Sequence, residues 1–221
     1  MKIFSKSRTS KLVVSAIVTA AVVAGALAQN SSGNMDLSLL GNLTKNHASG
    51  DNKYSGASHF NSNGNHAYIN TFARKMAHND SEIPVYEDVL TRLVAVWEDE
   101  QKVRGFDNDL APAFAYFTMV NEALATNQPY GLNFFDNMVA QNRKAFSSSK
   151  IAKMTNSKKQ DMYEYMVTQS AFMQAMASAG RERDFSQNES LLASIGSSQI
   201  QNTFDYQPSR IVIADIGVSF Q

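Results

Sequence analysis

The chain contains no cysteine, and this absence excludes several kinds of chemistry and of stabilisation at once. A protein without cysteine has no disulfide, no thiol nucleophile and no thiolate-bound metal. The stability of the fold must therefore come from a packed core, even in a compartment that permits disulfides.

Histidine is scarce as well, with four residues at positions 47, 59, 66 and 78. Their spacing matches no compact ligand pattern, such as two histidines four residues apart on one helix. We expect neither a metal site nor a cofactor, and we interpret the histidines as polar residues in or near a flexible arm.

Familiar catalytic motifs are missing too: the sequence has no P-loop, no glycine-rich nucleotide-binding turn, no HExxH and no GxSxG. A di-iron site needs Glu-x-x-His pairs on core helices, and no predicted core helix carries a histidine. Carboxylate chemistry is what remains, for example a sugar hydrolase that acts on cell wall through Glu122 or Glu164. Each of these acids is also explained as a helix-bundle residue paired with an amide or a cation.

Four basic residues precede an apolar stretch at 12–26, which ends in the small-residue site Ala26-Leu27-Ala28. This order is typical of a secretory signal peptide at 1–28, with cleavage before Gln29. The apolar stretch is shorter than the ~20 residues that a membrane span needs, so we expect no stable span after cleavage. The protein should be exported, to the periplasm or the cell exterior.

Export changes the charge of the chain. The full sequence has 20 basic and 20 acidic residues, and the predicted signal peptide holds four of the basic residues and none of the acidic ones. The mature chain is therefore net acidic, which argues against nucleic acid as a partner. A protein or another envelope component, of unknown identity, is the expected partner.

Residues 29–65 are rich in Asn, Ser and Gly, and few large apolar residues interrupt them. This composition predicts a disordered arm, with no more than a helical turn near 37–43, because little surface can be buried. Residues 66–221 show helical periodicity and predict an all-α bundle of five to six helices. The β-branched residues after Pro208 predict either a strand-like strap or a short last helix.

The bundle should form around residues 110–125, where the apolar side chains point in nearly all directions from a helix. Asn108 or Asp109 is placed to cap the first turn. For the long helix at 158–179, Ser157 and Gln160 form a capping-box pattern and Gly180 is placed to stop it. Gly196 should interrupt or end a sixth helix that begins near 188.

Several polar residues interrupt these apolar helices and form the candidate site. If the helices pack together, some of them should meet in a buried or groove-lining hydrogen-bond network. Arg143 and Glu164 are the most obvious ion pair. The network either fixes the register of the helices or binds a ligand. The proposed binding residues are Asp109, Asn121, Gln141, Arg143, Gln160 and Glu164, with Glu122 nearby.

The same residues carry a resemblance to a known family. The motifs are Asn108-Asp109-Leu110-Ala111 with Ala113, Ala115, Tyr116 and Phe117, then Gln141 with Arg143, then Lys159-Gln160 with Tyr163-Glu164. Over residues 84–217 the chain resembles the uncharacterised bacterial family DUF6683, a domain of unknown function. The resemblance implies an exported, mostly helical protein and brings no activity, cofactor or catalytic residue. Two functions therefore stay open: a non-catalytic binding or structural protein of the envelope, and a carboxylate-dependent hydrolase of cell-wall glycans.

Overall fold

The computed structural model describes residues 35–46, 56–128, 132–147, 149–183, 186–214 and 217–221. The predicted signal peptide lies outside these residues, as do positions 29–34 and 47–55 of the predicted arm. The elements are α1 (Ser38–Asn46), α2 (Ala67–Met76), α3 (Ile83–Val103), α4 (Leu110–Thr126), α5 (Leu132–Ala145), α6 (Ser149–Ala152), α7 (Asn156–Arg183), α8 (Ser186–Phe204), β1 (Ile211–Ala214) and β2 (Gly217–Phe220).

The prediction of an all-α bundle around a central apolar helix is confirmed. Every side chain of α4 from Leu110 to Glu122 is buried, and α8, α7 and α5 pack around it. Asp109 caps the helix by accepting a hydrogen bond from the Ala111 amide, and Asn127 ends it in a left-handed conformation. None of the helices in the described residues is long and apolar enough to cross a membrane.

The described parts of the predicted arm are ordered, so the prediction of disorder is wrong for them. Leu37 and Leu40 are buried as α1 packs against α8. A Cβ at Gly41 would collide with the backbone carbonyl of Thr203, so the absence of a side chain permits this close approach. A few leucines at helical spacing are enough to order α1, because residues more than 150 positions away in the sequence provide the surface against which they pack.

Residues 56–65, which we call the docked segment, lie across the start of α4. The Phe60 amide donates to the Asn108 carbonyl at 3.0 Å, and the Leu110 amide donates to the Ser58 carbonyl at 3.1 Å. The Phe60 side chain is buried, with its ring centroid 5.3 Å from that of Tyr163. The docked segment is therefore part of the domain, not a flexible leader to it.

Three predicted helix boundaries are wrong, each for a physical reason. Thr155 rather than Ser157 caps α7, because its hydroxyl accepts from the Lys158 amide and Gln160 bonds elsewhere. Gly180 does not stop α7, since its backbone never enters the left-handed region that ends a helix. Gly196 lies inside α8, where a Cβ would collide with the Asn121 carbonyl; the glycine permits α8 to cross α4 closely.

The C-terminal residues form strands, as one of the two predicted alternatives stated. β1 and β2 pair in an antiparallel hairpin with Ile211 opposite Phe220 and Ile213 opposite Val218. Ile211, Ile213 and Val218 are buried in the core, while the hairpin packs beside α5.

Candidate functional site

The predicted site residues do not form one network. They divide into four separate groups. Asp109 with Arg143, and Gln160 with Glu164, hold the docked segment and the start of α2. Asn121 with Gln169 joins α4 to α7, and Gln141 with Val218 joins α5 to the hairpin.

Asp109 is the most buried charge of the set, with a side-chain exposure of 0%. One of its carboxylate oxygens accepts from the Arg143 Nε at 2.9 Å and lies 2.8 Å from Nη2, while the other accepts from Ala111. The His59 Nε2 lies 3.4 Å from the same carboxylate. Asp109 therefore serves as helix cap and as counter-ion, and both roles place a negative charge at the positive end of α4.

The predicted ion pair between Arg143 and Glu164 does not form. Arg143 is on α5, faces the loop before α4, and stacks over the Phe106 ring at 4.6 Å from its centroid. The sequence allows either Asp109 or Glu164 to pair with Arg143, but only Asp109 lies at the end of α4 against which Arg143 of α5 packs.

Lys159 also belongs to the site. It is part of the family motif but was not among the predicted binding residues. Its Nζ donates to the Ala57 carbonyl at 2.6 Å and to the His59 carbonyl at 3.1 Å. The residue is 5% exposed, and this burial lowers the pKa of its ammonium group. Lys159 thus binds the backbone of the docked segment rather than a carboxylate.

Gln160 continues the same contact one residue later. Its amide oxygen accepts from the Asn63 backbone at 3.0 Å. Its amide nitrogen lies 2.7 Å from the Asn65 carbonyl and 2.8 Å from the Asn63 side-chain oxygen. The adjacent residues Lys159 and Gln160 therefore hold both ends of the docked segment by hydrogen bonds to its main-chain atoms.

Glu164 lies one helical turn after Gln160 and is 3% exposed. It accepts from the Gln160 amide at 2.8 Å and from the Tyr68 backbone amide, at the start of α2, at 3.1 Å. The His66 Nδ1 is 3.9 Å away, beyond hydrogen-bond distance. A carboxylate in this position satisfies an otherwise orphaned helix amide.

Glu98, on α3, belongs to the same neighbourhood and was not predicted. Burial raises the pKa of its carboxyl; the charge of His66 lowers it, and Glu164 and Asp99 raise it further. Glu98 differs from its exposed neighbour Asp99 because Glu98 lies on the face of α3 that also carries the buried residues Trp97 and Val94.

Asn121 and Gln169 form a reciprocal pair of amide hydrogen bonds, each at 3.2 Å, between α4 and α7. Glu122 is at the far end of α4 from Asp109 and bonds to the Thr126 hydroxyl at 3.3 Å. Glu122 and Glu164, the two acids considered for a hydrolase, therefore occupy different groups.

A cleft of about 350 Å³ opens near the C-terminal end of α4. Its lining combines small and apolar residues with a few polar ones. They include Ala123, Asn127, Ala177, Gly180, Glu189 and Leu192. The space beside Gly180 is open, since a Cβ there would meet no atom within 4 Å. Across the described residues, no three His, Asp or Glu side chains converge to hold a metal ion.

Comparison with known families gives one match. The model of a family of unknown function (DUF6683) matches residues 53–221. This range is wider than residues 84–217 and includes the docked segment and α2. No curated protein and no solved structure matches the chain.

Proposed function

The chain belongs to this family of unknown function, and from its own residues we propose that it is a non-catalytic binding or structural protein of the bacterial envelope. The signal peptide at residues 1–28 would export it to the periplasm or the cell exterior.

The single observation that carries the proposal is how the buried polar groups are used. Lys159 and Gln160 bind the backbone of the docked segment, Glu164 binds the start of α2, and Asp109 binds the start of α4. An active site keeps groups directed at a substrate, whereas these groups are directed at the fold. Polar groups that are bonded to the fold in this way fix one arrangement of its segments.

The cleft at the end of α4 is where we place a ligand or partner of this protein. Its lining combines small side chains with polar ones, among them Glu189 and Asn127, which could contact a ligand. Gly180→Leu should fill the cleft, because Gly180 has open space around it and lies in a helix, where leucine is well tolerated.

The test is co-sedimentation of the mature protein with purified peptidoglycan sacculi, followed by assay of released muropeptides. We expect wild-type protein to bind without releasing fragments, and Gly180→Leu to bind more weakly. Gly180→Ala is the matched control, since it restores helix propensity without filling the cleft. Fragment release by wild-type protein would overturn the non-catalytic proposal.

One observation favours the carboxylate-dependent hydrolase as second candidate. Glycosidases pair a protonated carboxyl with an ionised one. Burial raises the pKa of Glu98, and Glu164 lies close enough to influence it. Under this alternative Glu98 would be the general acid. The hydrolase is ruled out if Glu98→Gln, Glu164→Gln and Glu122→Gln all match wild-type protein in muropeptide release.

A further inference from the structure

The two outer edges of the C-terminal hairpin differ. The Gln221 amide donates to the Arg210 carbonyl at 2.8 Å, which makes this pair a hydrogen-bonded one. Because hydrogen-bonded and non-hydrogen-bonded pairs alternate in an antiparallel ladder, the Ile213–Val218 pair is non-hydrogen-bonded. The backbone groups of Ile213 and Val218 therefore point away from the hairpin, one to each outer edge.

The β2 edge is closed by a side chain. The Gln141 amide nitrogen donates to the Val218 carbonyl at 2.8 Å, and its oxygen accepts from the Val218 amide at 2.7 Å. The side chain thus takes the place of a neighbouring strand. Gly217 makes this approach possible, because a Cβ there would collide with the Gln141 amide oxygen.

Among the described residues, no side chain covers the β1 edge in this way. Within the described part of the chain, no group bonds to the outward amide or carbonyl of Ile213. The strand Ile211-Val212-Ile213-Ala214 contains no charge and no proline, two of the devices that protect a sheet edge, so its protection is limited to its short length of four residues. Val212 and Ala214 are also half-buried apolar residues on the other face.

We propose that two copies of the protein pair through their β1 edges. In an antiparallel arrangement centred on Ile213, the amide of each Ile213 donates to the carbonyl of the other. Val212 of each copy then lies opposite Ala214 of the other and covers part of its exposed surface. The product is one four-stranded sheet in the order β2, β1, β1, β2.

A second copy fits this edge better than a charged peptide does, for two reasons. The strand is uncharged and self-complementary in the antiparallel sense, so the contact is closed by a two-fold axis. Both outer edges of the four-stranded sheet are then the β2 edges that Gln141 covers, so growth stops at a dimer. This inference does not depend on the proposed function.

The experiment is sedimentation velocity of the mature protein over a range of concentrations. Wild-type protein should form a dimer. Val212→Lys places a charge beside the two-fold axis and should raise the dissociation constant roughly tenfold or more, since charge opposes strand pairing at an edge. Ser219→Lys is the matched control, because Ser219 lies directly opposite Val212 but one strand further from the axis. It should leave the dimer intact.

Two outcomes overturn the inference: a wild-type monomer at all concentrations, or equal weakening by the two lysine variants. A second measurement does not require a variant. Hydrogen exchange at the Ile213 amide should slow as the protein concentration rises, and exchange independent of concentration contradicts the pairing. Gln141→Ala, which uncovers the β2 edge, should produce species larger than a dimer.

Discussion

Replacing Asp109 by alanine should be among the most damaging single changes at a polar residue. The carboxylate is fully buried and holds two partners at once, the guanidinium of Arg143 and the amide of Ala111. Alanine removes both interactions and takes the carboxylate away from the cation of Arg143, whose side chain is only 21% exposed.

The magnitude follows from these two losses. Breaking a buried ion pair by removing one partner costs about 3–5 kcal/mol, and we take the lower end because water still reaches Arg143. Loss of the N-cap adds about 1 kcal/mol. Asp109→Ala should therefore lower the free energy of unfolding by about 4 kcal/mol. Asp109→Asn keeps a good capping residue, so it should cost about 1 kcal/mol less than alanine.

Urea denaturation of the two variants measures these costs, provided that the slope of the transition is unchanged. Adding Arg143→Met to each background completes a double-mutant cycle, which should show that Arg143→Met costs less once the carboxylate is gone. A cost below about 1 kcal/mol for Asp109→Ala would refute the reasoning, because the pair would then contribute like an exposed one.

The remaining predictions concern packing and pH. Gly196→Ala should destabilise the protein by about 1–3 kcal/mol, because it forces α8 away from the Asn121 carbonyl. Gly180→Ala should instead stabilise the protein by about 0.5–1 kcal/mol. Thermal unfolding measures both changes, and equal effects would contradict the close crossing of α8 and α4. Phe117→Ala should cost about 3–5 kcal/mol in urea denaturation, and a loss below about 1 kcal/mol would misplace the core. Burial raises the pKa of Tyr165 to about 12, so the folded state keeps a proton that the unfolded state loses above its ordinary pKa. Stability should fall as pH rises from about 10 to 12, and Tyr165→Phe should show a smaller fall.

Much of the fold follows from local patterns in the sequence. The all-apolar stretch that starts at Leu110 predicts a central helix, and Asp109 marks its start, because both signals depend on neighbouring residues alone. The β-branched residues from Ile211 onward predict strands as one alternative. Local pattern alone does not choose between strand and helix there; in the structure the Gln141 side chain, 77 residues away, binds the backbone of β2.

Several of the errors in the fold share one cause, which is a packing partner far away in the sequence. Leu40 and Phe60 lie in a polar stretch whose average composition predicts disorder, yet each is buried against residues of α8 or α7. Gly196 weakens a helix by local propensity, but close packing against α4 requires it. Composition cannot register such distant contacts.

For the candidate site, the sequence predicted the participating residues better than their partners. Asp109, Gln160 and Glu164 are buried and bonded, yet the expected pair between Arg143 and Glu164 is replaced by the pair between Arg143 and Asp109. Lys159 could have been noticed as a cation next to Gln160 at the start of α7. Its acceptors are backbone carbonyls of the docked segment, and backbone acceptors leave no trace in the sequence.

The claim that these polar side chains hold the docked segment is tested most directly by hydrogen exchange at the Phe60 amide, which donates to Asn108. In the double variant Lys159→Met/Gln160→Ala, exchange at Phe60 should accelerate by about a hundredfold as the segment opens locally, while exchange at Ile200 in α8 stays unchanged. Lys158→Met, at an exposed neighbouring lysine, is the control and should change neither amide. Unchanged protection at Phe60 in the double variant would contradict the claim.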